Sequence, residues 1–151
     1  MNFGETLRSG CFCLDLAADS KQGIIEEMLE LLVQSGKVKD RAKALASVLE
    51  REKKMSTGMS DGVAVPHGKT DAVDELVTVF AMKRSPVDFQ SFDGKPSRIF
   101  IMTVSPLNRT GPHMQYLGEI SKLLKQAPIR DRLLAASTKE EVVRILTSLS
   151  E

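Results

Sequence analysis

Histidine is the side chain whose charge changes nearest neutral pH, and this chain has two, His67 and His113. His67 stands in Val63-Ala64-Val65-Pro66-His67-Gly68, after a polar loop that contains Gly58 and Gly62. Pro66 fixes its own backbone and disfavours the α region for Val65, so the corner is stiff. Gly68 removes a side chain where a reacting partner would approach. Gly58 and Gly62 can turn backbone N–H groups toward an anion, the concave arrangement that holds phosphate. A neutral imidazole is nucleophilic near pH 7 and, unlike serine, needs no strong base to activate it. The chemistry this corner offers is acceptance of a phosphoryl group on His67. An isolated loop histidine is more often a plain surface residue, so the surroundings carry the reading.

Two more residues could serve it. His113 is expected in the first turn of a helix, where the positive end of the dipole disfavours imidazolium and keeps the ring neutral. A neutral ring can donate one N–H to an oxyanion while its other nitrogen accepts. A capping or packing histidine is the competing account. Arg51 ends an amphipathic helix just before the glycine loop, and guanidinium matches phosphate oxygens by paired hydrogen bonds. Its competing account is a solvated charge pairing weakly with Glu50 or Glu52.

The elements that must position these residues follow from periodicity. Phe12 to Ala17 reads as an early strand or arm. Ser20 caps a helix carrying Ile24, Ile25, Met28, Leu29, Leu31 and Leu32, which stops at Gly36. Asp40 opens a second helix with Leu45, Val48 and Leu49 on one side. Val63 to Val65 is a short strand delivering His67, and Leu76 to Met82 is another, expected to break at Ser85-Pro86. Phe89 and Phe92 flank a polar bend, and Asp93-Gly94 is a turn signal. Arg98 to Val104 reads as a central strand covered on both faces. After the loop Leu107 to Pro112, His113 opens a helix with Leu117, Ile120, Leu123 and Leu124 inside. Pro128 starts a short helix, and Thr138-Lys139-Glu140-Glu141 is a capping box for a last one. The order predicts an α/β fold, a mixed sheet with helices packed on it, over one domain, residues 1–151.

Composition excludes several classes. Lys plus Arg is 21 and Asp plus Glu 20, a formal net charge of +1. That balance argues against a nucleic-acid binder. No apolar run is long enough to span a bilayer, and Met1 to Arg8 lacks the pattern of a secretory signal. Cys11 and Cys13 do not resemble a disulfide framework and are expected to be small core residues. A cytoplasmic protein without membrane insertion is the expectation. Two histidines without a cysteine or carboxylate at ligand spacing make a poor metal site, and no cofactor motif is present. There is no nucleotide-binding G-x-x-x-x-G-K-[ST] loop and no G-x-S-x-G elbow.

Arg51-Glu52, Ser56-Thr57-Gly58 and Gly62-Val63-Ala64-Val65-Pro66-His67-Gly68 together resemble the signature of the IIA domains of the bacterial sugar phosphotransferase system. The likeness is to the fructose/mannitol class, which includes the nitrogen-regulatory IIA proteins. Further pieces extend it along the chain: Ser20-Lys21, Leu32-Val33-x-Ser35-Gly36, Val87-Asp88-Phe89, Asp93-Gly94, Pro106 and His113-x-x-x-Leu117-x-x-Ile120.

The resemblance implies a three-layer α/β/α sandwich with a mixed central sheet. It also implies a phosphohistidine carrier, a phosphotransferase component without cofactor or metal. His67 matches the phosphorylated histidine, reacting through Nε2, and Arg51 and His113 match the arginine and second histidine around the phosphoryl group. Thr57, Ser60, Gly62 and Gly68 are the expected phosphate-binding positions, with Ser60 in place of a common glycine. The implied donor is phospho-HPr or its nitrogen-branch counterpart. The implied partners beyond it are a IIB domain or a regulatory target. Val63, Met59 and Met114 are candidates for an apolar docking rim. A stand-alone, nitrogen-related regulatory IIA is the leading expectation. A sugar-uptake IIA subunit passing phosphate to a IIB cysteine is the alternative. A protein-interaction module that never carries phosphate is the alternative of another class.

Overall fold

The computed structural model describes residues 3–148. It opens with a helix that the periodicity does not announce, α1 (Phe3–Arg8), and the short strand β1 (Cys11–Cys13). Helix α2 (Lys21–Gln34) starts where Ser20 accepts the Gly23 amide at 3.1 Å. It stops at Gly36, whose φ of +83° is easily reached only without a Cβ. Helix α3 (Arg41–Lys54) is capped by Asp40, which accepts the Lys43 amide at 3.1 Å. A turn over Ser60–Gly62 leads to the strands β2 (Val63–Ala64) and β3 (His67–Lys69). Then come β4 (Val77–Val87), β5 (Ser97–Ser105), α4 (Thr110–Leu124), α5 (Ala127–Leu134) and α6 (Lys139–Thr147). The capping box forms as expected, with Thr138 Oγ1 accepting the Glu141 amide at 3.2 Å.

The sheet runs β1-β4-β5, with β2 and β3 both lying along the far side of β5. β4 and β5 are antiparallel, while β1 on β4, and β2 and β3 on β5, are parallel. β5 is the central strand, and its alternation sorts the core into two layers. Phe100, Met102 and Val104 pack with Ile24, Ile25, Leu29 and Val48 of α2 and α3. Ile99 and Ile101 pack with Leu7, Tyr116, Ile120, Leu133 and Leu146 from α1, α4, α5 and α6. Burying each such side chain stabilises by about 1.5–3 kcal/mol, so both helix layers are held firmly to the sheet. The result is an α/β/α sandwich with a mixed sheet.

Several boundaries differ from expectation: β1 covers Cys11–Cys13 rather than Phe12 to Ala17, and β2 ends at Ala64 rather than Val65. β4 does not break at Ser85-Pro86 but continues to Val87. β1 accompanies it only as far as Ala81, and its register with β5 shifts between Met82 and Val87. Arg84, Ser85 and Pro86 are exposed there, so the proline lies at an open, irregular edge that needs no donor from it. Helix α4 begins at Thr110, before His113. Pro112 is tolerated because N–H groups in a first turn have no partner within the helix.

Candidate functional site

His67 opens β3, a short strand on the outer side of β5. The Val65 amide donates to Thr57 O at 3.1 Å and the Thr103 amide to Pro66 O at 3.1 Å, pinning the residues just before it. His67 is paired in register with Thr103. Its Nδ1 lies 2.9 Å from the Val65 carbonyl. A carbonyl oxygen can only accept, so Nδ1 is the ring nitrogen that bears hydrogen and Nε2 keeps a free lone pair. Burial lowers the pKa of His67 below its ordinary 6.5, and the charges of Arg51 and Lys69 lower it further. The Val65 bond and Glu52 act in the other direction.

Alternation along β3 turns Gly68 to the opposite face. A Cβ there would stand 2.6 Å from Ser47 Oγ and 3.0 Å from the Ser47 carbonyl carbon. The space that Gly68 leaves is therefore taken by α3, and not held open for an incoming partner. Lys69 returns to the α4 side and ties β3 to that helix, donating from Nζ to Thr110 Oγ1 at 2.8 Å. It went unnoticed in the sequence, although period two from His67 points to it.

His113, from the first turn of α4, reaches His67 across this face. The two ring centroids are 5.5 Å apart with planes at 89°. His113 is buried, and neither of its ring nitrogens has a hydrogen-bond partner. Burial, with the neighbouring His67 and Lys69, lowers its pKa from 6.5 to about 4. It is therefore neutral at pH 7 and can donate only one N–H.

Arg51 comes from the end of α3. Its Nη1 donates to Met55 O at 2.7 Å, and its charge is felt at His67. The neighbouring Glu52 points inward instead. It is 7% exposed and accepts from the Thr57 amide and hydroxyl, both at 2.6 Å. Lys21 Nζ lies 3.0 Å from its carboxylate and also donates to Ser56 Oγ at 3.4 Å and Gln90 Oε1 at 3.2 Å. Ser56 Oγ in turn donates to Phe89 O at 2.8 Å. This lock holds the turn after α3, and with it Arg51. Sequence reasoning had no signal for it beyond the closeness of Glu52 to Ser56-Thr57.

Of the remaining loop positions, Thr57 lies beside Val65 but has no donor to spare, and Ser60 and Gly62 are not brought to His67. Thr57 is buried with its amide and hydroxyl already committed to Glu52. Val63 pairs with Ile99 while His67 pairs with Thr103, so Ser60 and Gly62 lie roughly 13 Å or more farther along β5 at ~3.3 Å per residue. There the Asp61 amide donates to Asp93 Oδ2 at 2.9 Å, and Gly62 adopts φ +80°. Of the expected docking residues, Met114 is 59% exposed, Met59 is half-buried and Val63 belongs to the core. Met55 adds an exposed side chain beside Arg51. Among the described residues no group of three His, Cys, Asp or Glu side chains converges in a way that could hold a metal.

The model of the family described as "Phosphoenolpyruvate-dependent sugar phosphotransferase system, EIIA 2" matches residues 5–149. The chain belongs to this IIA family. It is 37% identical to the fructose-specific EIIA component of Haloferax volcanii over 132 residues, 87% of this chain and 86% of that protein. The crystal structure of nitrogen regulatory protein IIA-Ntr from Neisseria meningitidis superposes with a TM-score of 0.86 at 34% identity, covering 95% and 97% of the two chains. Enzyme IIAMTL of Escherichia coli, solved in complex with phosphorylated enzyme IIBMTL, gives 0.77 at 26% identity, covering 91% and 94%. The IIA family thus includes both sugar-specific and nitrogen-regulatory relatives of this chain, and membership carries a role in phosphoryl transfer.

Proposed function

We propose that this IIA chain carries a phosphoryl group on Nε2 of His67, received from phospho-HPr or its nitrogen-branch counterpart. The observation that carries the reading is the Val65 carbonyl holding Nδ1, which leaves Nε2 as the nucleophile. The Nε2–P bond forms as the donor's P–N bond breaks, and the electron pair of that bond returns to the donor's ring nitrogen. Nδ1 keeps its proton, so the ring becomes cationic while the Val65 carbonyl still accepts from it. Such a transfer needs mainly positioning and charge stabilisation. Arg51 supplies charge-assisted contacts to the phosphoryl oxygens, and His113 supplies one N–H. The mechanism uses no metal or cofactor.

Nitrogen-related regulation is our leading reading, supported by the likeness to the Neisseria IIA-Ntr structure. Sugar uptake is the second, favoured by the identity to the Haloferax fructose component. In that case the phosphoryl group moves on to a IIB cysteine, a partner class suggested by the IIAMTL–IIBMTL complex. Both readings place the protein in the cytoplasm.

Incubation with enzyme I, HPr and phosphoenolpyruvate, followed by intact mass, tests the carrier. The expected result is an acid-labile gain of one phosphoryl group that vanishes in His67→Ala. Labelling retained in that variant overturns the assignment to His67, and no labelling of the parent favours an interaction module without phosphate. Adding a purified fructose-class IIB then separates the two carrier readings by whether label reaches its cysteine.

A further inference from the structure

Three buried side-chain polar atoms lack a hydrogen-bond partner among the described residues: both ring nitrogens of His113 and Thr103 Oγ1. Leaving such a group unpaired costs about 1–3 kcal/mol, and strand register and helix facing set the two residues against the same face of the sheet. Thr103 is the register partner of His67 on β3 and of Thr78 on β4. It continues the alternation of Ile99 and Ile101, whose side chains face the layer that contains α4. Thr78 faces the same helix, because Tyr116 donates to its hydroxyl at 3.1 Å. Tyr116 and His113 are three residues apart on α4 and so share a face. One reaches Thr78 and the other His67, which places Thr103 beneath them, between the two strands they touch. The two flanking threonines differ in one respect. Thr78 donates its own hydroxyl to Met102 O at 3.0 Å, whereas Thr103 has no such outlet.

We propose that Thr103 is a positioning residue for phosphoryl transfer, donating its O–H to the inward ring nitrogen of His113. That bond fixes the tautomer in which the outward nitrogen carries the hydrogen and aims it at the phosphoryl oxygens on His67. A neutral imidazole has one N–H to give, so the tautomer decides whether His113 meets the phosphoryl group with a donor or with a repelling lone pair. The torsion about the Cβ–Cγ bond of histidine is broad, so a small ring rotation completes the contact, with or without a phosphoryl group on His67.

The proposal uses His113 as assigned under the proposed function, and its principal readout does not depend on that function. The test compares Thr103→Val, which keeps the shape, with Thr103→Ser, which keeps the hydroxyl. Imidazole 15N spectra of the unphosphorylated and phosphorylated protein report the tautomer of His113 directly. The parent and Thr103→Ser should show a single neutral tautomer in both forms, and Thr103→Val a mixture or the other tautomer. Transfer from phospho-HPr should slow about tenfold in Thr103→Val and recover in Thr103→Ser, the scale expected for one misdirected hydrogen bond. Tautomers unchanged in Thr103→Val overturn the proposal, as does a mixture in the parent or in Thr103→Ser. If the parent takes no label, the carrier reading fails. The spectra of the unphosphorylated protein then decide on Thr103 by the same comparison.

Discussion

His113 is held neutral by its surroundings, and that has a consequence for stability. Its folded pKa is about 4 against an ordinary 6.5. Above 6.5 the ring is neutral in both states and contributes nothing to the pH dependence. As pH falls from 6.5 toward 4, the unfolded chain takes up a proton that the folded protein refuses, so the native state loses ground. The full window is worth on the order of 3 kcal/mol, and the lowered pKa of His67 acts in the same direction. Urea unfolding at pH 7 and pH 4.5 should show the parent losing roughly 2 kcal/mol more than His113→Gln. Parallel losses in the two proteins would mean that the ring is not shielded as described. The same property matters for transfer. In the proposed mechanism His67 must be neutral to accept phosphate, and its lowered pKa favours the neutral ring at neutral pH.

At the scale of elements, the contact between β3 and α3 sets the distance from Arg51 to His67, and Gly68 governs that contact. A Cβ at this position meets the backbone of α3 at Ser47 and Val48, and a helix backbone cannot swing aside as a side chain can. Gly68→Ala should therefore cost about 1–3 kcal/mol and displace α3, slowing transfer although no reacting group has changed. A melting temperature equal to the parent's would show that the interface has slack. This glycine also shows where sequence reading stops. Its presence beside His67 was legible, but its reason lay in a helix twenty residues earlier. Local signals read well: Ser20 and Asp40 as caps, Gly36 as a stop, the apolar run Ile99 to Met102 in β5, and the Pro-His corner. α1 was not legible, because six residues carry too little periodicity. β4 ran past Pro86 because strand edges are set by neighbours that the local sequence does not name. Ser60 and Gly62 looked like part of a cradle because they are near His67 in sequence. Register along β5 carries them away, while Thr103, remote in sequence, is brought next to it.

The whole molecule presents His67 at the open side of its sheet, between the end of α3 and the start of α4. The proposed transfer between two proteins requires a surface that brings two histidines into line, and the rim here has an apolar component. Met55 is 71% exposed beside Arg51, and Met114 is 59% exposed beside His113. Neither is needed by the core, whose two layers are filled without them. Methionine suits such a rim because its flexible thioether side chain adapts to a partner surface. A charge placed there should obstruct docking and leave the chemistry intact. Met114→Glu is therefore expected to raise the KM for phospho-HPr about tenfold, equivalent to roughly 1.4 kcal/mol of lost association. Its kcat should stay within about twofold of the parent and its melting temperature should not change. Met114→Leu should behave as the parent does, since it keeps an apolar side chain of similar volume. A KM unaffected by the glutamate would move the docking surface away from α4. A fall in kcat alone would instead mean that the substitution disturbs the neighbouring His113.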